Sequence, residues 1–262
     1  MLLEPRTVAP GALLRWSRQS FGLLRRGLGF WSALTLLICL WMFVGHHFPL
    51  LSGMLAVSSL LACMLIAAHL DRRGEIRFAD VLGTLQQHAR ALTTFAALIT
   101  LAGALVWLLL LARPEVAWWN ILYTERNSVE VLSSDGFVAL RQIFVYSAFA
   151  LGLSYFGLNI PGLTSFFQFP CMTLLGLPFR DAWRLGAAGQ IRNLVPMFGV
   201  ALMFMVLPAT FALLLPPLVP GLYGFLGALG YVAFREIFLG VGENQPQVEA
   251  AAVQPTPLSS RA

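Results

Sequence analysis

The sequence predicts an all-α integral membrane protein with six transmembrane helices, and three observations do so. Hydrophobic residues fill 58% of the 262 positions and charged residues only 11%, where a soluble domain of this size carries about 25% charged residues. The apolar residues are gathered into runs of the roughly 20 residues needed to cross a bilayer. The basic residues, all 17 of them arginine, lie between those runs with a strong bias to one side.

Taken in order, an amphipathic segment at 1–27 comes first. It stays mixed in character up to the first apolar run, and no Ala-x-Ala site accompanies it. That run is therefore expected to be a retained helix rather than a cleaved signal. The transmembrane domain at 28–240 holds the predicted crossings 28–47, 49–69, 91–112, 138–160, 194–215 and 220–240. His46-His47-Phe48-Pro49 joins the first two as a tight hairpin, with Pro49 at a helix start. A polar segment at 114–136 follows the third, with Trp118 and Trp119 at interface height. Pro216-Pro217-Leu218-Val219-Pro220-Gly221 joins the last two. The tail at 241–262, rich in Pro, Ala, Gln and Ser, is expected to be disordered in the cytoplasm.

The stretch from Phe137 to Phe179 is almost continuously apolar. As one straight helix it would be about 65 Å long, twice the hydrocarbon thickness. Pro161-Gly162 and Pro170 interrupt it. One crossing at 138–160 is expected, then a broken apolar segment at 161–177 that bends, dips into the membrane or lies on it. Such a break survives at membrane depth only where protein or water covers the freed backbone groups.

Sidedness follows from the arginines. With six crossings, 14 arginines fall on one side, and Arg113, Arg126 and Arg141 on the other. The poor side also carries Glu115, Glu125, Glu130 and Asp135. The positive-inside rule places both termini in the cytoplasm. A full crossing at 163–177 would move Arg180, Arg184 and Arg192 outside and erase the asymmetry. Exclusive use of arginine, whose codons are GC-rich, points to a bacterium and hence to its inner membrane. The positive balance is read as orientation and contact with anionic lipid head groups, not as nucleic-acid binding.

Three cytoplasmic segments read alike: Leu14 to Arg26, Ile76 to Arg90 and Phe179 to Asn193. Each is amphipathic and ends in arginine before an outbound run. Each has an aromatic about ten residues before that arginine, at Trp16, Phe78 and Trp183. Three units of interfacial helix plus helical hairpin are expected, the amphipathic stretches lying on the inner leaflet.

The third unit carries the most specific pattern. Asp181-Ala182-Trp183 leads through Gln190-Ile191-Arg192-Asn193-Leu194-Val195-Pro196 into a helix, and the last helix ends Tyr231-Val232-Ala233-Phe234-Arg235-Glu236-Ile237-Phe238. This resembles a family of uncharacterised bacterial inner-membrane proteins with six predicted helices, whose last unit ends Tyr-x-x-Tyr-Arg-Asp-Ile-Phe. Phe234 and Glu236 stand where the family has Tyr and Asp. The resemblance implies the six-helix fold and the location. It implies no activity.

Chemistry-bearing motifs are sparse. No lysine exists, so a P-loop is excluded. There is no Gly-x-Ser-x-Gly, and Ser58 and Ser59 have no histidine at a matching depth. His46, His47, His69 and His88 have no carboxylate ligand set beside them. Cys39, Cys63 and Cys171 lie in apolar runs without a Cys-x-x-Cys. No catalytic, metal or cofactor site is expected. Two polar groupings stand out. Arg192, Asn193, Arg235 and Glu236 are expected to cluster at the cytoplasmic mouth of the last helix pair. Arg235 and Glu236 would there take Arg192, Asn193 or Asp181 as partners or anchor the helix end. Asn159, Pro161, Gly162 and Gln168 form a Pro-Gly break flanked by amides, which suits an unwound transport element or an ordinary kink. Arg141 and Gln142 lie close enough to the outer interface to snorkel. The leading function is a non-enzymatic membrane protein acting through anionic lipids or a membrane-protein partner. A small-solute transporter or channel built on the broken segment is the alternative.

Overall fold

Short amphipathic helices alternate with long apolar ones along the chain. The structure, a computed structural model, describes residues 4–45, 49–76, 78–111, 144, 147–148, 150–152, 154–160 and 162–240, without the side chains of 43–45, 49–52, 103–104 and 106–111. Among them there are helices and turns and no strand.

Helix α1 (Ala12–Arg26) buries Ala12, Trp16, Ser20 and Leu23, a spacing of four, four and three that keeps one face inward. It stops at Gly27, whose N–H returns to Leu24 O at 3.3 Å. Helix α2 (Leu28–Gly45) then departs at 95° to α1. Helix α3 (Pro49–Arg73) ends at Gly74, whose φ of 76° and N–H bond to Leu70 O make a left-handed cap. Helix α4 (Phe78–Gln87) and helix α5 (Ala89–Leu111) meet at His88. Residues 154–157 are helical and 158–160 turn out of that helix. Helix α6 (Gln168–Leu174) and helix α7 (Phe179–Arg192) follow, separated by Gly176 and Pro178. Asn193 separates α7 from helix α8 (Leu194–Leu214). A 3-10 turn (Pro216–Leu218) leads into helix α9 (Val219–Phe234), which passes into a π turn (Arg235–Leu239) stopped by left-handed Gly240.

Helix α9 is the centre. All its residues except Gly221 and Phe225 are buried. It packs chiefly against α3 and α1, and also against α2. Glycine makes this approach possible. A Cβ on Gly227 would collide with the Cβ of Cys63 and stand 3.1 Å from the Leu60 carbonyl on α3. Gly224 faces the Trp31 ring and Gly230 the Met64 and Phe166 side chains. These close approaches recur every three residues, at Gly224, Gly227 and Gly230.

Helix α8 is the opposite case. It carries no charge over 21 residues, and Val195 is 84% exposed, with Phe198, Leu202, Met205, Val206, Leu213 and Leu214 exposed along its length. An apolar surface this long finds a stable solvent in lipid rather than water. Among the described residues, three stretches are long and apolar enough to cross a membrane: Gly53–Arg73, Leu194–Leu214 and Pro216–Leu239, with mean hydropathies of 2.0, 2.2 and 1.4. The bent pair α1 and α2 adds a fourth if counted as one span. The molecule is thus all-helical and compatible with a membrane protein.

Several sequence readings fall on undescribed residues: the turn 46–48, the segment 114–136 with Trp118 and Trp119, Arg141, Gln142, Pro161, most of the fourth crossing and the tail 241–262. One is revised. Trp16, Phe78 and Trp183 are not equivalent, because Trp16 is fully buried while Phe78 is 74% exposed.

Candidate functional site

The charged groups of the bundle gather where α3 and α9 end and α1 crosses them. Asp71 is the sole acid in α3, and Arg235 opens the π turn. An acid in an otherwise apolar helix needs a counter-charge, and Arg235 Nη1 donates to Asp71 Oδ2 at 2.6 Å. Tyr231 donates its hydroxyl to the same oxygen at 2.8 Å. The second guanidinium nitrogen, Nη2, donates to Gln19 Oε1 on α1 at 2.8 Å. The pair is largely removed from solvent, at 15% exposure for the Arg235 side chain and 17% for Asp71.

Glu236, one residue on, points elsewhere because adjacent helical residues diverge. Its two oxygens accept from Arg15 Nη2 at 2.6 Å and from the Trp16 indole N–H at 2.8 Å. Both donors lie on α1. Trp16 therefore fills the core with its ring and fixes a carboxylate with its polar edge.

A third set closes over the α7–α8 junction. Asn193 Nδ2 donates to Arg6 O at 2.8 Å and to Gly189 O at 2.9 Å, and Asn193 Oδ1 accepts from Val8 N–H at 2.8 Å. Arg192 donates to Pro5 O at 2.7 Å and lies 3.6 Å from Glu4. The Arg6 N–H donates to Ile237 O at 2.8 Å.

Of the four residues expected to cluster, none of Arg192 and Asn193 bonds to Arg235 or Glu236. Asp181 takes no part either. What unites them is the N-terminal segment, which supplies a partner to each. Sequence reasoning missed Asp71, Arg15, Trp16, Gln19 and Tyr231. Asp71 had a signal, as the single acid in an apolar run. Gln19 had none.

Replacing Asn193 with alanine leaves Val8 N–H and Arg6 C=O without their partner. At about 1–3 kcal/mol for an orphaned buried group, the variant should lose several degrees of detergent thermal stability, and proteolysis should reach residues 4–10 sooner than in the parent.

The amides at the break are engaged within the fold. Gln190 Nε2 donates to Asn159 Oδ1, and Asn159 Nδ2 donates to Tyr155 O at 2.6 Å. Gln190 Oε1 accepts from Phe166 N–H at 3.2 Å. Gln168, fully buried, donates to Phe179 O at 3.2 Å. Thr164 accepts from Ile160 N–H at 2.9 Å and donates to Gly157 O at 2.7 Å. Gly162, at φ 78°, provides the left-handed residue of the turn. Nearby in sequence, Tyr155 and Phe166 pack against each other and against Phe204 of α8, with ring centroids 5.0 to 5.8 Å apart. Thr164→Val should cost about 1–3 kcal/mol, because one hydroxyl serves two backbone groups freed by the turn; thermal unfolding in detergent measures it, and Thr164→Ser should stay near the parent.

A cavity of about 20 Å³, room for one water, lies elsewhere, among Ile38, Trp41, Ser59, Ser147 and Tyr223. It does not touch Asn159 or Gln168. Among the described residues no cluster of His, Cys, Asp and Glu could hold a metal ion.

No family model, no curated protein and no solved structure matches this chain.

Proposed function

We propose that the chain is a six-crossing inner-membrane protein with both termini in the cytoplasm, which works without catalysis through its cytoplasmic face, on anionic lipids and on a protein partner. The observation that carries this reading is the outer face of α1. Leu14, Arg18, Phe21 and Arg25, spaced four, three and four, share one side and are all exposed. Large apolar side chains alternating with arginine suit the headgroup boundary, where Leu14 and Phe21 enter the acyl layer and the guanidinium groups meet phosphates. Phe78 and Leu82 on α4, and Arg180, Arg184 and Ile191 on α7, are exposed in the same manner.

The threefold unit belongs to the same proposal. Each amphipathic helix meets its long partner through a single residue, Gly27, His88 or Asn193. Gly27 (φ −121°, ψ 37°) and Asn193 (φ −121°, ψ 39°) share backbone angles. Each hinge carbonyl accepts from the residue four on, Trp31, Leu92 or Met197. Membership of the six-helix family rests on the 231–238 pattern. The filled hydrogen bonds at the break favour a kink over a transport element.

Purification in mild detergent with mass spectrometry of bound lipid is the test. Anionic lipids should be retained well above their share of the membrane. Arg18→Gln with Arg25→Gln should weaken retention roughly thirtyfold, at about 1 kcal/mol per arginine. Retention in proportion to the bulk lipid, unchanged in the double variant, would contradict the reading.

A further inference from the structure

Residues 4–8 lie extended in a cleft between the α7–α8 hinge and the π turn, and the cleft holds them almost wholly by their backbone. Pro5 C=O takes a hydrogen bond from Arg192, Arg6 C=O from Asn193, and Arg6 and Val8 N–H give theirs to Ile237 O and Asn193 Oδ1. A single amide side chain thus brackets two polar groups, Arg6 C=O and Val8 N–H, along one edge of the segment. The floor is tight, with the Phe238 ring against Gly189. Pro5 is buried, Val8 is half-buried, and Thr7 is exposed. Two side chains add direction: Glu4 faces Arg192, and the Arg6 guanidinium lies against Gly240.

Backbone hydrogen bonds for affinity with a few side-chain pockets for register is how proteins recognise extended peptides. The bound segment also has a swivel. Gly11 sits at φ 77° with nothing within 4 Å of a built Cβ, directly after Pro10. Only Pro5 and Val8 bury apolar surface in the cleft, so the segment is held modestly.

We infer that this cleft is a docking surface for an extended segment of a partner protein, of the pattern acid-Pro-Arg-x-apolar, and that residues 4–8 are its intramolecular occupant. The inference rests on the proposed cytoplasmic working face for the side from which a partner arrives. The chemistry of the cleft selects the backbone form; Arg192 selects an acid before proline, and Gly240 leaves room for the arginine.

The test uses the full chain in detergent, where neither sidedness nor lipid binding enters, so its failure is separable from failure of the topology or of the lipid reading. Thr7→Cys in a Cys39→Ala background carries a spin label on the exposed position of the segment. The probe is a synthetic peptide with the sequence of residues 4–10. Because the tethered segment competes at an effective concentration in the millimolar range, millimolar peptide should convert the immobile spectrum to a mobile one. Gly11→Ala strains the swivel without entering the cleft, and should lower the peptide concentration needed by about tenfold. A peptide methylated on the nitrogen equivalent to Arg6 should be at least tenfold weaker. No mobilisation up to the solubility limit, or equal displacement by the methylated and a scrambled peptide, overturns the inference. Mobilisation on mere dilution of the protein also overturns it, because the cleft would then be filled by a second copy of this chain.

Discussion

Asp71→Ala should be the most damaging single polar substitution in the chain. It removes the partner of a guanidinium that is 85% out of solvent and strands the Tyr231 hydroxyl. Leaving one member of a buried ion pair alone costs about 3–5 kcal/mol, against a total stability of about 5–15 kcal/mol for a typical domain. The variant should yield little monodisperse protein in fluorescence-detected gel filtration. Arg235→Ala should be nearly as damaging, since it leaves Asp71 with only the tyrosine and also breaks the tie between Gln19 of α1 and the π turn. The double variant Asp71→Leu with Arg235→Met separates charge from shape. Replacing both members of a buried pair by apolar groups is often neutral, so it should recover most of the lost yield. If the double variant is as poor as either single one, the pair is not what holds this end of the bundle.

Gly227→Leu should be the most damaging apolar substitution. The added Cβ alone meets the Cys63 Cβ and approaches backbone atoms of Leu60 and Cys63 at 3.1 Å. Backbone cannot rotate aside as a side chain can, and α9 is enclosed on nearly every face, so it has no free direction to move. Overpacking costs about 1–3 kcal/mol and more where relaxation is blocked; this site belongs at the upper end. Gly221→Leu on the same helix, with nothing within 4 Å, is the matched control and should behave like the parent. Cys63→Gly should partly rescue Gly227→Ala, because it removes one of the clashing Cβ atoms and leaves the backbone approach. Melting temperatures of the four variants in one detergent decide it.

These two expectations differ in how far sequence alone could reach them. The long helices are local facts. A chargeless run such as 194–214 can only be helical in lipid, and Gly27, Gly74 and Pro178 mark helix ends by their own conformational limits. The amphipathic period of 12–26 was visible for the same reason. The pairings are not local. Arg235 and Asp71 are 164 positions apart, and Glu236 is 221 from Arg15. No periodicity reports which of several arginines a carboxylate will meet. The four polar residues Arg192, Asn193, Arg235 and Glu236 were legible as a group because each interrupts an apolar context. Their true common partner, the N-terminal segment, was not legible, because four of its contacts are made by backbone, which carries no residue identity. The break at 159–168 shows the same boundary. Pro161 and Gly162 announced it, but that Thr164 and Gln190 would satisfy the freed groups depended on where α7 docks.

Sidedness is the claim on which both the proposed lipid contact and the proposed docking of a partner depend, and cysteine accessibility in intact cells measures it directly. Arg184 is exposed on α7, and Glu125 belongs to the arginine-poor segment. With Cys39 replaced by alanine, Arg184→Cys should resist a membrane-impermeant thiol reagent until the cells are permeabilised, while Glu125→Cys should be labelled at once. Labelling of Arg184→Cys in intact cells would put α7 outside, turn the segment at 161–177 into a crossing and overturn the six-crossing topology.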